Sequence, residues 1–385
     1  PPTPPAHFAA PARGQMLSRV LLNWPRTGGK LDLNRAPFRL VAIVNRIDLA
    51  DNPSYGGGSQ SAGEGRFVFG VYDMSTATPC DMLPFSIIFE YGVRANGCSG
   101  LKNWAQQWVA LSSHALGTPA YNNALEAITQ QFVSANAAPS KPNGSALNQL
   151  RTNENGLNIL WELREFRINA STHRLFEDTT AQTIDETLNG STRLRNYVNS
   201  NEIDILNDAH DVPDLFPTAT GGTAPFKSTH SLANNPPTTL PSQLSTIFAA
   251  SGITNNLARH HFSLNTCTGC HIRETSTRFL HIDPTTTPIT LSRFMTGATS
   301  SISDTPDPFN VTDPVVSSTT HAFNDIDRRR QKLAAIAGSS CFRFILVPPR
   351  LRDLKFRIPL DGPLPEIDPI GPIADDFFDP VRMPH

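Results

Sequence analysis

The chain has 385 residues, enough for one large domain or two ordinary ones with a substantial buried core. Only 17% of the residues are charged and the net charge is −2, which argues against a nucleic-acid partner held by phosphate neutralisation. The 33 prolines and 24 glycines indicate many loops and argue against long helical bundles. Apolar runs are too short to span a bilayer, so we predict no transmembrane segment.

Predicted strands dominate the first hundred residues. Short segments rich in aromatic and β-branched residues lie between turn residues, which is typical of sheet strands. These segments are residues 38–47, 66–73 and 84–93. The glycine-rich stretch 55–65 is predicted to be a loop, and it lacks the Gly-Lys-Ser/Thr ending of a phosphate-binding loop.

Helices and further strands follow. A helix is predicted over residues 101–116, where Trp104 and Trp108 share one face, and a second helix starts at Pro119. The remaining predicted elements are a strand over 161–168, a helix over 192–210, a loop over 213–241, helices over 254–264 and 325–337, and strand-like segments at 342–347 and 354–358. Together they predict an α+β fold, mixed and loop-rich, with an antiparallel sheet and flanking helices.

Charged side chains alternate along the predicted strand over residues 161–168. Alternation sends Glu162 and Arg164 to one face of the sheet and Glu165 and Arg167 to the other. We predict that these groups form cross-strand ion pairs, with the lining of a cleft as the alternative.

One motif indicates a specific chemistry. Residues 267–271 read Cys-Thr-Gly-Cys-His, with Cys267, Cys270 and His271 at the spacing of a c-type haem attachment site. Two thiols three positions apart on a helical turn can each add to one vinyl group of a porphyrin. The adjacent imidazole then reaches the iron as its proximal ligand.

The segment resembles the haem-binding stretch of c-type cytochromes. In such a stretch a helix, here residues 255–264, leads into the two cysteines and the proximal histidine. The resemblance covers roughly twenty of the 385 residues. It implies one covalent haem c, held by Cys267, Cys270 and His271.

Two other interpretations of the paired cysteines remain open. A zinc site needs about four nitrogen or sulfur ligands, and His271 and His281 complete such a set with Cys267 and Cys270. A redox disulfide between the two cysteines is the other interpretation, although the thioredoxin-like βαβ setting for it is absent from the sequence pattern.

The second axial ligand would decide the haem chemistry. His281 follows His271 by ten residues, which allows the chain to fold back over the porphyrin, and it is the first choice. Met295 is the second choice, because small c-type cytochromes often use a downstream methionine. The other candidates are His260, His261 and His321.

The five cysteines suggest a disulfide and a compartment. If haem takes Cys267 and Cys270, then Cys80 and Cys98 can pair and Cys341 is left as a buried free thiol. Haem c is attached outside the cytoplasm, where disulfides also persist. Because the chain begins with Pro1, we expect a mature protein without its signal peptide, in the periplasm, on the cell surface or secreted.

These features predict four segments. An extended N-terminal segment covers residues 1–11, an α+β body covers 12–250, the haem-binding segment covers 251–345 and packs into the same domain, and a Pro/Asp-rich strand and tail cover 346–385.

Three functions follow from the motif. The first is single-electron transfer by an exported monohaem protein, with a redox partner protein and a role in a larger complex or surface assembly. The second is a haem enzyme acting on peroxide or oxygen, with Arg259, Arg273 and His281 in the distal pocket. Such enzymes include c-type haem peroxidases and rubber-cleaving oxygenases, which usually carry two haem motifs, whereas this chain has one. The third is a binding module stabilised by zinc.

Overall fold

The computed structural model describes most of the chain, and the structural statements below concern that part alone. The described residues are 20–21, 24–58, 60–74, 81–154, 160–228, 230–234, 247–277, 279–298 and 307–341. Outside them lie the N-terminal segment 1–11, Cys80, the strand-like segments 342–347 and 354–358, and the C-terminal tail.

A seven-stranded antiparallel sheet forms the centre of the fold. Its strands are β1 (Phe38–Arg46), β2 (Ser61–Tyr72), β3 (Met82–Arg94), β4 (Leu147–Glu154), β5 (Leu160–Ile168), β6 (Leu175–Asp178) and β7 (His230–Asn234). Strands β1 to β5 pair in sequence order, and β5 also pairs with β7 along its first half and with β6 along its second half. The predicted antiparallel sheet is therefore confirmed.

The described part of the chain contains seven α-helices. They are α1 (Gly97–Ala110), α2 (Pro119–Val133), α3 (Thr192–Ser200), α4 (Glu202–Leu206), α5 (Asn256–Asn265), α6 (Arg293–Thr296) and α7 (Asp325–Gly338). Four short hairpins complete the described part; they pair Arg26–Thr27 with Lys30–Leu31, Leu215–Pro217 with Thr223–Pro225, Ile282–Asp283 with Thr290–Leu291, and Phe309–Thr312 with Thr320–Phe323. The predicted α+β class is confirmed. In this part of the chain, none of the helices is both long and apolar enough to cross a membrane.

Several local predictions are wrong. The predicted loop over residues 55–65 ends early, because β2 already begins at Ser61. The predicted helix over 192–210 breaks at Asn201, whose backbone is not helical, and the predicted loop over 213–241 contains β7. Strand β4 was not predicted at all.

One face of the sheet is apolar and packs against α1 and α2. The strand register sets Phe67 opposite Ile43 and Phe89, so their side chains share this face. Phe132 of α2 lies against Phe67 and Trp104 of α1, with ring centroids 5.7 Å and 6.2 Å away. A glycine at position 65 permits this contact, because an added Cβ would overlap the Phe132 ring. This layer is the main core beneath the sheet.

The opposite face of the sheet carries buried charges. Five fully buried residues on β2, β3, β4 and β5, here called the ion-pair ladder, lie side by side; they are Glu64, Arg66, Glu90, Arg151 and Glu165. Arg66 contacts Glu64 at 2.7 Å and Glu90 at 3.0 Å, and Arg151 contacts Glu165 at 2.9 Å. The predicted cross-strand ion pairing of Glu165 is confirmed. Glu162 and Arg164 of β5 lie on the first face of the sheet, where they pair with each other.

A disulfide bond joins Cys98, in the first turn of α1, to Cys341, just after α7. The predicted pairing of Cys98 with Cys80 is therefore wrong, and Cys341 is not a free thiol. Spacing in the sequence favoured the nearer cysteine, but the packing of α7 against α1 brings together two residues that are 243 positions apart.

Candidate functional site

Helix α5 leads directly into the Cys-x-x-Cys-His motif. The helix ends at Asn265 and is capped by Thr266. The Thr266 hydroxyl donates to the Ser263 carbonyl at 2.6 Å and accepts the Gly269 N–H at 3.1 Å. Gly269 is required in this turn, because an added Cβ would overlap the Ser263 carbonyl oxygen. Thr266 and Gly269 therefore form a sharp turn between the helix and Cys270.

A wide helical turn over Gly269–Arg273 then carries Cys270 and His271. Its characteristic bond runs from the Glu274 N–H to the Gly269 carbonyl at 2.9 Å, and such π-turns often occur at functional sites. Cys267, Cys270 and His271 are all buried. Both cysteines are reduced, and the Thr183 hydroxyl donates to Cys267 Sγ at 3.2 Å.

The His271 ring is held by a chain of hydrogen bonds. Its Nδ1 donates to the Phe279 carbonyl at 2.7 Å, and Asn153 Nδ2 donates to the same carbonyl at 3.0 Å. Trp161 Nε1 in turn donates to Asn153 Oδ1 at 2.7 Å. Phe279 adopts a φ of 63°, in the left-handed region that non-glycine residues rarely occupy. The bond at Nδ1 leaves the lone pair of the ring on Nε2, the form in which histidine binds a metal.

His281 lies beside the motif. Its Nε2 is 3.1 Å from Cys270 Sγ and its Nδ1 is 3.0 Å from Ser292 Oγ. The ring centroids of His271 and His281 are 4.5 Å apart. The ligand atoms of Cys270, His271 and His281 all lie within 4.8 Å of one another, so three of the four predicted ligands are brought together and Cys267 is outside this group.

A small cavity of about 50 Å³ lies between the motif and the charged face of the sheet. His271, His281 and Met295 line one side of it. The apolar part of its wall consists of Val44, Val68, Ile88 and Ile282. Its polar part includes Asn153 and the three arginines Arg46, Arg66 and Arg329. Sites for cofactors commonly combine an apolar wall with a few such polar groups.

Burial sets the protonation states of the motif. It lowers the pKa of His271 to about 4, so its imidazole is neutral near pH 7 and able to bind a metal. Burial also lowers the pKa of His281. It raises the pKa of the Cys267 thiol to about 12 and also raises that of Cys270, so both remain thiols rather than thiolates.

The remaining predicted site residues lie away from the cavity. Arg259 forms ion pairs with Glu274 at 2.6 Å and with Asp313 at 2.8 Å. Arg273 is half-buried and does not line the cavity. His261 belongs to α5, and its Nδ1 lies 3.9 Å from a carboxylate oxygen of Asp208.

A second group of potential ligand atoms consists of His260, Asp313 and His321. The two imidazoles stack face to face, with centroids 3.4 Å and planes 2° apart. Two imidazoles on one ion approach it from different directions, so this stack is unsuited to binding a metal. Asp313 instead contacts His321 at 2.9 Å and Arg259 at 2.8 Å, which makes the group a structural charge cluster.

Sequence reasoning missed four residues at the cavity: Asn153, Arg46, Arg66 and Arg329. Each lies more than 50 positions from the motif. Their role depends on strand register and on the position of α7, which the sequence does not spell out.

Comparison with models of protein families, with curated proteins and with solved structures finds no match for this chain. The functional argument therefore rests on the residues of the site.

Proposed function

We propose that this protein is an exported monohaem c-type protein that transfers single electrons. The observation that carries the proposal is the Cys267-x-x-Cys270-His271 motif, whose spacing is that of a c-type haem attachment site and whose three side chains are buried together. Cys267 and Cys270 would hold the haem through thioether bonds, and His271 would be its axial ligand. When bound, haem iron supplies a one-electron change of valence, and its ligands and burial set the potential.

The donor groups fit a haem. His271 has a neutral imidazole oriented by a carbonyl, as is usual for histidines that bind metals. Cys267 and Cys270 are reduced although the chain forms a disulfide elsewhere, so both sulfurs are available for addition to vinyl groups. Val44, Val68 and other aliphatic side chains form an apolar wall beside His271.

The second axial ligand is better assigned to Met295 than to His281. The His271 and His281 rings are 4.5 Å apart, which leaves no room for a porphyrin between them. Met295 lines the same cavity, and a His/Met pair gives a higher potential than two histidines.

Peroxide or oxygen chemistry has less support. Two of its three distal candidates, Arg259 and Arg273, are absent from the cavity wall, and Arg259 is neutralised by Glu274 and Asp313. Such an enzyme needs an open coordination site, whereas this cavity presents two further potential ligands.

A bound metal ion is the second candidate, favoured by the compact group of Cys270, His271 and His281. Three ligands of this type with an open fourth position match catalytic zinc sites. In this alternative Cys267 is not a ligand. The two candidates therefore differ in which residues they require.

The export and partner proposals rest on the same site. The Cys98–Cys341 disulfide fits an oxidising compartment such as the periplasm, the cell surface or the medium. A protein that carries single electrons also requires a redox partner protein.

The test is the optical spectrum and peptide mass of the full chain, produced in a host that attaches haem c. We expect c-type pyridine haemochrome bands and one haem on the tryptic peptide that contains Cys267 and Cys270. Replacing both residues with alanine should abolish the haem, whereas the matched pair Cys98→Ser and Cys341→Ser should retain it. A colourless wild-type protein would refute the proposal.

The same material separates the alternatives. A zinc site predicts one zinc per chain that is lost in His281→Ala and retained in Cys267→Ala. A six-coordinate electron carrier predicts a low-spin reduced spectrum that CO leaves unchanged, and Met295→Ala should make it high-spin. If His281→Ala does so instead, the axial assignment returns to His281.

A further inference from the structure

The small cavity beside the motif is lined by cations and, in the described part of the chain, by no carboxylate. Its three arginines are Arg46, Arg66 and Arg329. The region as a whole is not short of negative charge, since Asp208 acts on the nearby Arg328 and each of the three arginines has an acidic partner. Those partners are Asp48, Glu64, Glu90 and Asp325, and all four lie outside the lining. The charged groups that face the cavity are therefore guanidiniums.

Two of these arginines keep a buried N–H that has no acceptor among the described residues. Arg46 of β1 donates to Asp48 through Nε at 3.0 Å and through Nη2 at 2.7 Å, while its Nη1 has no partner there. Arg329 of α7 pairs with Asp325, while its Nε likewise has none. Burial and the neighbouring Arg46 lower the pKa of Arg329 to about 10, so the two guanidiniums act on one another. Buried donors are nearly always bonded, so both atoms indicate a missing acceptor.

The size and the chemistry of the cavity limit what this acceptor can be. Its volume of about 50 Å³ admits about four non-hydrogen atoms, since each water-sized atom needs roughly 10–15 Å³. Water molecules would bring hydrogens that need acceptors in turn, and a guanidinium has none to offer. Much of the remaining wall is aliphatic. A planar oxyanion brings acceptors and matches the fork of a guanidinium.

We infer that this cavity binds one small, planar, monovalent oxyanion, of the class that includes formate, nitrite and nitrate, with Arg46 and Arg329 as its donors. The ligand would lie against His271 and His281, which line the same cavity. The inference does not rest on the proposed function, because it depends on the two arginines, whereas haem attachment depends on the cysteines of the motif.

The test is the binding of sodium formate to the full chain. Isothermal titration calorimetry measures the affinity, and the urea midpoint at rising formate concentration measures the stabilisation. Sodium benzoate at the same concentrations is the matched control, because it has the same charge and the same carboxylate but a ring too large for the cavity.

Three variants locate the site. Arg329→Gln removes a charge and its donors. Val68→Leu adds one carbon to the apolar wall and leaves both arginines in place, because Val68 is a buried lining residue of β2. Arg330→Gln is the control for the first variant, since Arg330 is the next residue on the same helix, is half exposed and pairs with Asp327.

We expect formate to bind the wild type with saturation and to raise its urea midpoint, because a ligand that binds only the folded state stabilises it. Arg329→Gln should weaken the formate affinity by about tenfold or more, through the loss of charge-assisted hydrogen bonds. Val68→Leu should weaken the affinity by taking up space in the cavity. Arg330→Gln should bind formate like the wild type, and benzoate should not bind.

The inference is overturned if formate gives no saturable response in the wild type, or if Arg329→Gln and Val68→Leu bind it as tightly as Arg330→Gln. Ordered water would then be the occupant of the cavity. Failure of the proposed function is a separate result, seen as a missing haem spectrum whether or not formate binds. Should Arg329→Gln fail to fold, Val68→Leu decides the question, because it keeps every charge in place.

Discussion

Asn153 connects the sheet to the motif. Its side chain accepts from Trp161 and donates to the Phe279 carbonyl, which also accepts from His271 Nδ1. A buried amide with both ends bonded is rigid, so the direction of the imidazole is set from strand β4. We regard Asn153 as a positioning residue for His271.

Replacing Asn153 with alanine should lower the free energy of unfolding by about 2 kcal/mol, because the Trp161 N–H and the Phe279 carbonyl would lose a buried partner. In the haem-loaded protein proposed above, it should also alter the visible absorption spectrum. Urea denaturation and visible spectra measure the two effects. Trp161→Phe is the control: it removes one bond but leaves the Phe279 carbonyl bonded to Asn153. A variant with lower stability and an unaltered spectrum would reduce Asn153 to a structural role.

At the residue scale the sequence shows the motif and little of what surrounds it. Cys267, Cys270 and His271 could be singled out from the sequence because the motif consists of neighbouring positions in the chain. The partner of Cys98 was predicted wrongly, and the arginines at the cavity were missed, because both depend on contacts between distant segments. His281 was predicted as a ligand because it follows His271 by only ten residues, and in the structure its ring lies next to Cys270.

At the scale of elements, the strands are best predicted where apolar residues alternate. Strands β1 and β5 match their predicted bounds closely, because each has clear alternation. Strand β4, with the sequence LNQLRTNE, was missed because it is largely polar and yet buried. Its Arg151 side chain contributes to the ion-pair ladder rather than to an apolar core, which a hydrophobic pattern does not reveal.

The ion-pair ladder should make stability depend on pH through Glu90. Burial raises the pKa of Glu90 from 4.5 to about 7, in spite of the neighbouring Arg151 and Arg66. Between these values the folded state holds a proton that the unfolded chain has released. The stability that protonated Glu90 contributes is therefore fully present below about pH 4.5, and it is lost as the pH rises through about 7.

We expect Glu90→Gln to remove part of that fall, on the order of 3 kcal/mol between pH 4.5 and 7.5. Glu162, whose pKa burial also raises to about 7, should maintain the rest. Urea unfolding at several pH values measures the slope. Glu126→Gln is the control, because Glu126 is an exposed residue of α2 outside the ion-pair ladder, and its removal should leave the slope unaltered. An unaltered slope in Glu90→Gln would contradict the assignment.

At the scale of the whole molecule, the sheet separates two environments. Helices α1 and α2 cover its apolar face, and the segment with the motif covers its charged face across the cavity. Helix α7 contacts α1 and also supplies Arg329 to the cavity. The disulfide at the end of α7 therefore helps to hold both layers on the sheet.

Removing this disulfide should destabilise the whole fold. In the chain-entropy description, a crosslink that closes a loop of 243 residues contributes about 5 kcal/mol. The double variant Cys98→Ser and Cys341→Ser should therefore unfold at a markedly lower denaturant concentration, and a reducing agent should affect the wild type but not the variant. Equal midpoints for the two oxidised proteins would show that the bond contributes nothing.

The same bond closes a covalent loop of the polypeptide, a circuit that runs from Cys98 in the first turn of α1 to Cys341 shortly after α7. A single proteolytic cut anywhere inside that circuit would open the backbone without releasing a fragment. Both pieces would migrate together until the sulfurs were reduced, so the segment with the motif would stay tethered to the sheet even after such damage.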